Sequence, residues 1–159
     1  MGQLNSFGSI IKTFAQFELG MIVTLSIISE IDDHKLMVIM RGLQYSSKRD
    51  TVYSYMELYD VNATIKEYAI MFFNEVHKYY GLRNHIAHSI WIPGKRTDSI
   101  TPQSINIRGG KGRLINDDED KHYRDYTSVE LIDIQNKLSM MHNSYVLWLR
   151  SLGFAKDMD

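Results

Sequence analysis

The fold class of this chain is indicated by residues 127–152, which read TSVELIDIQNKLSMMHNSYVLWLRSL. Apolar side chains recur there at steps of three and four residues without a gap, which is the spacing of one helix face. These side chains belong to Leu131, Ile134, Leu138, Met141, Tyr145, Trp148 and Leu152. Thr127 and Glu130 form a capping box at the start, and Gly153 is placed to cap the end. The sequence therefore predicts a long amphipathic helix as its last element.

The same spacing predicts four helical regions earlier in the chain. They are a long helix over residues 7–28, a short helix over residues 36–43, a helical region over residues 50–80, and a short helix from Leu82 to the Pro93-Gly94 pair. Within the first of these, Glu18 interrupts the apolar face, and it either pairs with a basic group in the site or faces solvent.

Local signals predict where these helices break. Tyr45-Ser46-Ser47 is a polar break, and a kink or short loop is expected near Asp60-Val61-Asn62. Thr64 and Glu67 resemble a second capping box that would restart the helix. Gly81 is placed to end that helix, because glycine adopts the positive φ of a helix C-cap without strain.

The segment 93–126 lacks helical spacing and contains both prolines of the chain. Residues 104–107 and 113–115 are expected to pair as a small hairpin around a Gly109-Gly110-Lys111-Gly112 turn. The sequence thus predicts an all-α bundle of about five helices, with a polar loop or small hairpin at 93–126 before the last helix. Residues 1–159 are expected to form a single domain.

Composition limits the function. The chain has 159 residues with 18 basic and 19 acidic side chains, a net charge of −1, so any nucleic-acid site must be local. The absence of cysteine excludes disulfides, thiolate metal sites and a cysteine nucleophile, and it is compatible with the cytoplasm. The longest apolar run, residues 19–28, is too short to cross a bilayer. We therefore expect a cytoplasmic protein without a membrane partner.

Chemistry is concentrated in residues 82–91, which read LRNHIAHSIW. Arg83 carries a planar fork that matches two phosphate oxygens, and His88 exchanges protons near neutral pH. Asn84 and His88 are four apart and share a helix face, whereas Arg83 is turned by about 140° from His88. Arg83 therefore reaches the same site only from the first turn of the helix, where backbone N–H groups also favour phosphate.

These groups suit the cleavage of RNA by attack of the 2′-hydroxyl on the adjacent phosphate. Arg83 would stabilise the charge on phosphorus, His88 would act as acid or base, and Asn84 would orient His88 or a phosphate oxygen. One histidine cannot be acid and base in the same concerted step. A two-fold dimer that brings two copies of His88 together would supply both groups.

The pattern Arg83-Asn84-x-x-x-His88 resembles the R-x4-6-H signature of the HEPN superfamily, including the polar residue after the arginine. The aromatic-rich helix before it, Ala87 before the histidine and Trp91 after it fit the same resemblance. HEPN proteins are all-α bundles that commonly dimerise with their motif helices facing each other, and many are metal-independent ribonucleases in toxin–antitoxin and antiviral systems. The resemblance implies that Arg83, Asn84 and His88 are catalytic. It also implies RNA as substrate and an antitoxin or nucleotidyltransferase as a possible partner.

A second group of residues is predicted to contact RNA, with a structural role as the alternative for each. The group comprises His85, Trp91, Lys95, Arg96, Arg108, Lys111 and Arg113. The five cations accompany one acid, Asp98, and form either a backbone-tracking loop or a solvated loop. His85 and His88 lack a third ligand with telling spacing, so no metal is predicted, and no cofactor motif is present.

Two functions follow from the sequence. The first is a homodimeric, metal-independent endoribonuclease that acts as a toxin or defence effector. The second is a non-catalytic helical module that binds a partner protein or RNA, which the near-neutral net charge favours.

Overall fold

The computed structural model of the protein describes residues 2–103, 105–108, 111–114 and 125–153. Within these ranges the chain forms six helices: α1 (Gly2–Ser29), α2 (Asp33–Met40), α3 (Tyr45–Leu58), α4 (Ala63–His77), α5 (Tyr80–His88) and α6 (Ser128–Ser151). The protein is largely all-α and compatible with a helical bundle, as predicted. Of the kink or short loop expected near Asp60-Val61-Asn62, the structure has the loop, which explains why six helices are present where about five were predicted.

Five short strands lie between α5 and α6: β1 (Ile90–Pro93), β2 (Ser99–Gln103), β3 (Ile105–Arg108), β4 (Lys111–Leu114) and β5 (Tyr126–Thr127). The β3–β4 pair is the predicted hairpin, with Ile105 opposite Leu114, although β4 begins earlier than expected. β1, β2 and β5 form an antiparallel sheet that was not predicted. Trp91 faces Pro102 and Ile100 faces Tyr126 in this sheet.

The residues cluster into two compact units. Unit 1 comprises Met1–Lys12 and Tyr79–Leu138, and unit 2 comprises Thr13–Lys78 and Ser139–Asp159. Unit 1 therefore contains α5 and all five strands, and unit 2 contains α2, α3 and α4. Whether the chain acts as the single domain expected from its length stays a prediction.

Unit 2 has an aromatic core. Phe14 and Phe17 from α1 meet at 90°, and Phe17 contacts Phe72 from α4 at 5.7 Å between ring centroids. Tyr145 from α6 stacks on Phe72 at 4.4 Å and donates its hydroxyl proton to the carbonyl of Gly20 at 2.8 Å. Gly20 makes this approach possible, because any β-carbon at this position would collide with the Tyr145 ring.

A buried ion pair explains the acid on the apolar face of α1. The ammonium of Lys48, only 7% exposed, lies 2.5 Å from the carboxylate of Glu18. The pair holds α3 against α1. Glu18 therefore has a basic partner, but that partner belongs to α3 and is not one of the site residues predicted on α5.

Unit 1 has a smaller core. Ile10, Leu131 and Leu138 are fully buried, and Leu82 is the buried residue of α5, with 6% of its surface exposed. The ring of Trp91 stands 4.6 Å from the ring of Phe7. It also meets the edge of Tyr126 at 6.0 Å.

Three of the predicted helix boundaries before α5 are wrong. Tyr45-Ser46-Ser47 is the first turn of α3 rather than a break, because Tyr45 is buried and its hydroxyl reaches the Phe73 carbonyl. Asn62 caps α4 by accepting hydrogen bonds from the N–H groups two and three residues on, so Thr64 and Glu67 are not its capping box.

Gly81 does not end α4. It is the second residue of α5, and α4 ends at His77, followed by Lys78 as a C-cap with ordinary helical φ and ψ. The motif helix also stops earlier than predicted, at His88, because β1 begins at Ile90 and pairs with β2. By contrast, the Thr127–Glu130 capping box is confirmed. The Glu130 N–H donates to the Thr127 hydroxyl at 3.2 Å, and the Thr127 N–H donates to the Glu130 carboxylate at 2.8 Å. Gly153 follows α6 with φ +90°, as expected for its cap.

Residues 3–29 of α1 are long and apolar enough to cross a membrane by length and composition. More than half of that stretch is buried inside the protein, which is also typical of a core helix. The expectation that the chain has no membrane partner stays a prediction.

Candidate functional site

The short helix α5 positions the predicted catalytic residues. Its first turn is closed by a hydrogen bond from the Arg83 N–H to the Tyr79 carbonyl at 3.1 Å. Its last turn is closed by a bond from the Ser89 N–H to the His85 carbonyl at 2.9 Å. Arg83 therefore stands in the first turn, as the sequence required, and His88 is the last helical residue.

Arg83 is half-buried and only partly satisfied. One of its terminal nitrogens, Nη1, donates to the side-chain oxygen of Asn84 at 3.2 Å. Its Nε is buried, and within the described part of the chain no acceptor lies opposite it. A guanidinium with an unfilled N–H group is suited to a further acceptor such as a phosphate oxygen.

His88 presents an exposed side chain, and among the described residues its imidazole has no hydrogen-bond partner. Asn84 shares its helix face, being one turn earlier. Because Asn84 also binds Arg83, it links the two groups that the helix geometry alone would separate by about 140°. Arg83 is therefore hydrogen-bonded to Asn84, and Asn84 lies on the same helix face as His88.

His85 lies beside this face, and its Nδ1 is 3.4 Å from the Ser89 hydroxyl oxygen. Among the described residues, one group of side chains could bind a metal ion. Asp32, Asp33 and His34, at the start of α2, each offer one ligand atom, and these atoms lie within 4.8 Å of one another. Asp32 already caps α2 there through the Lys35 N–H at 3.1 Å. This group is far along the chain from α5 and is explained by helix capping.

Arg96 is engaged in structure rather than free for RNA. Its guanidinium donates to both carboxylate oxygens of Glu130, at 2.7 and 3.1 Å, and to the Asp125 carbonyl. The hydrogen bond from Arg96 is the main reason why the pKa of Glu130 falls from 4.5 to about 2. Arg96 therefore has a structural role beside its predicted contact with RNA, which stays a prediction.

Asp125 organises the same loop and was missed by the sequence reasoning. Its carboxylate accepts the N–H groups of Lys95 and Arg96 at 2.6 and 3.0 Å and the hydroxyls of Ser99 and Thr101. The Thr101 hydroxyl is the first of the bonds that lower the pKa of this carboxyl. No sequence signal points to Asp125, because its partners are more than 20 residues away.

The remaining predicted RNA contacts divide into three groups. Lys95 is exposed, and its backbone N–H donates to Asp125. Trp91 packs against Phe7 and Tyr126, which is the structural alternative to base stacking, although its buried Nε1 has no acceptor among the described residues. Arg108, Lys111 and Arg113 lie on the β3–β4 hairpin, with Arg108 opposite Lys111, and their side chains lie outside the described part of the structure. The acidic run 117–120 also lies outside the described residues.

Comparison with known proteins gives no independent guide. No family model matches the chain, and neither a curated protein nor a solved structure matches it. The functional assignment therefore depends on the residues of α5.

Proposed function

We propose that this protein is a metal-independent endoribonuclease that cleaves RNA by attack of a 2′-hydroxyl, at a composite site formed by two copies of α5. The observation that carries the proposal is the arrangement on α5. Asn84 binds the half-buried Arg83 and shares a helix face with the exposed His88, whose imidazole has no hydrogen-bond partner among the described residues. The resemblance of these three residues to the HEPN signature supports the same reaction.

The chemistry assigns a role to each group. A base removes the 2′-hydroxyl proton, the 2′-oxygen forms a bond to phosphorus, and the bond from phosphorus to the 5′-oxygen breaks as an acid protonates that oxygen. Arg83 binds the phosphate oxygens through the N–H groups that Asn84 leaves unfilled. His88 and the partner's His88 serve as base and acid. The products are a 2′,3′-cyclic phosphate and a 5′-hydroxyl.

The test measures cleavage of single-stranded RNA in EDTA by the wild type and His88→Ala. We expect at least about a 100-fold loss of the cleavage rate, the lower range for one acid–base group. His34→Ala is the matched control, because His34 is also exposed, at the start of α2. It should cleave like the wild type.

The composite site has its own test. Adding excess His88→Ala to the wild type should lower activity beyond dilution, because mixed dimers lack one proton-transfer group, and sedimentation should show a dimer. Cleavage that persists undiminished in His88→Ala would overturn the proposal, as would cleavage of RNA whose 2′-hydroxyls are replaced by hydrogen.

A second candidate is a non-catalytic module that binds a partner protein. The ion pair of Arg96 with Glu130 favours it, because that pair removes one cation from the predicted RNA-binding loop. A folded, dimeric protein that cleaves no RNA and binds it without salt dependence would favour this second function.

A further inference from the structure

We propose that α2 is a self-association surface, on which a second copy of this chain packs its own α2 in the antiparallel direction. Leu36 and Met40 are the buried residues of this helix, at 4% and 1% exposure. The outer side is apolar yet open to solvent, since Val38 is 77% exposed and Ile39 is 71% exposed. Neighbouring exposed apolar side chains on one short helix are typical of a surface that another protein covers.

One row of side chains along α2 carries opposite charges at its two ends. Asp33, Met37 and Arg41 are four residues apart, so they lie in line on one helix face. Arg41 belongs to this row because it keeps helical φ and ψ as the C-cap residue. Met37, midway between the two charges, is 40% exposed. The row therefore leads from a carboxylate through an apolar side chain to a guanidinium, over about 12 Å.

The basic end of this row is not neutralised by its neighbours. Arg41 is exposed, and its side chain has no ion pair or hydrogen bond to any described residue. It is also the one charged residue between positions 36 and 47 of the sequence. The C-terminal end of α2 therefore presents a single cation in an otherwise uncharged stretch.

The other end of the row stays acidic. It has three carboxylates within four residues, on Glu30, Asp32 and Asp33. Lys35 offsets one of these charges. His34, whose Nδ1 lies 2.9 Å from the Asp33 carboxylate, offsets a second charge only when it is protonated. The N-terminal end of α2 therefore keeps a net negative charge in either state of His34.

This arrangement favours a second copy as the occupant. Because Asp33 and Arg41 are equally distant from Met37, a two-fold axis at Met37 places Arg41 of each copy against the partner's Asp33. Two ion pairs then flank a contact in which the Met37 and Val38 side chains of both copies meet. A parallel arrangement would bring like charges together, and a nucleic acid would be repelled by the acidic end.

The proposal is independent of the proposed nuclease activity, because it uses residues of unit 2 and its test measures no cleavage. The contact is small, so we expect weak association that depends on protein concentration. The dimer proposed above uses α5, a different helix. Both contacts in one chain would build assemblies larger than a dimer.

The experiment is disulfide cross-linking of the full chain, which is suited to it because the sequence has no cysteine. In Met37→Cys the two new thiols would face each other across the two-fold axis, so mild oxidation should join two chains. Leu58→Cys is the matched control, because Leu58 is 79% exposed on α3, outside the row. We expect Met37→Cys to cross-link at least about ten-fold faster than the control, since the contact raises the effective concentration of the thiols.

Charge reversal tests the two ion pairs. Arg41→Glu or Asp33→Lys, each added to Met37→Cys, should slow cross-linking at least about five-fold, the effect of one exposed ion pair. A mixture of these two variants should cross-link faster again and join the two different chains, because the acidic row of one then meets the basic row of the other. Glu67→Lys makes the same charge change as Asp33→Lys on α4, and it should leave the rate unchanged.

Two outcomes overturn the proposal. One is an equal cross-linking rate for Met37→Cys and Leu58→Cys. The other is a mixture of the charge-reversed variants that cross-links no faster than either variant alone, with circular dichroism showing that both are folded.

Discussion

Tyr145 in unit 2 and Arg83 in unit 1 differ in how their buried polar atoms are satisfied. In unit 2 the hydroxyl of Tyr145, buried in an aromatic core, bonds to the Gly20 carbonyl and to Thr24. In unit 1 the buried Nε of Arg83 and Nε1 of Trp91 have no acceptor within the described part of the chain.

A buried N–H group without a partner is unfavourable, so natural proteins keep such groups mainly where a ligand or water completes them. The comparison therefore directs tests of stability to Gly20 and Tyr145, and tests of function to Arg83, Asn84 and His88 on α5. Substitutions in the core of unit 2 should change stability, whereas substitutions on the face of α5 should change function.

The largest effect on stability should come from Gly20→Ala. The new methyl group collides with the Tyr145 ring, which its hydrogen bonds hold in place, so we expect unfolding to become easier by about 1–3 kcal/mol. Urea denaturation would measure this change. Gly8→Ala is the matched control in the same helix, because a methyl group there meets open space. If both variants were equally stable, the packing assigned to unit 2 would be wrong.

A smaller, pH-dependent effect should come from the Arg96–Glu130 pair in unit 1. The pKa of Glu130 is about 2 in the folded protein against an ordinary 4.5. Because the folded value is depressed, the stability from this group is present above pH 4.5 and is lost as the pH falls toward 2.

Denaturation at several pH values in this window would test the pair. In Glu130→Gln the free energy of unfolding should fall less between neutral and acid pH than it does in the wild type. In Glu67→Gln it should fall as much as in the wild type. An identical pH dependence in the wild type and Glu130→Gln would contradict the structural role of the pair.

The smallest effect should come from Gly81→Ala in unit 1. Gly81 lies inside α5 and its methyl group would meet nothing within 4 Å, so alanine should stabilise the protein by up to about 1 kcal/mol. The methyl group stands on the face that carries Asn84 and His88, so RNA cleavage should fall while the melting temperature rises. Lower stability would show that the first turn of α5 differs from its described geometry.

Most of the helical fold could be predicted because amphipathic spacing is a local property. The three- and four-residue steps of α1 and α6, the Thr127–Glu130 capping box and Gly153 are all read from neighbouring residues and are confirmed. The boundaries failed where a distant contact outweighed a local signal. Tyr45 continues α3 because its ring is buried, and β1 ends the motif helix because it pairs with β2.

The candidate site was predictable in its residues but not in its contacts. Arg83, Asn84 and His88 were identified from their order in the chain. The bond from Arg83 to Asn84 depends on rotamers that sequence spacing does not fix, and the engagement of Arg96 depends on Glu130, which is 34 residues away.

The sequence by itself determined the helical class, the capping of α6 and the chemistry available on α5, because each depends on residues a few positions apart. Only the tertiary structure decided that Glu18 pairs with Lys48, that Asp125 holds the loop before β2, and that Trp91 packs rather than faces solvent. These pairings join residues that are at least 24 positions apart in the chain. Such contacts are selected by burial and charge in the folded chain, and no local pattern encodes them.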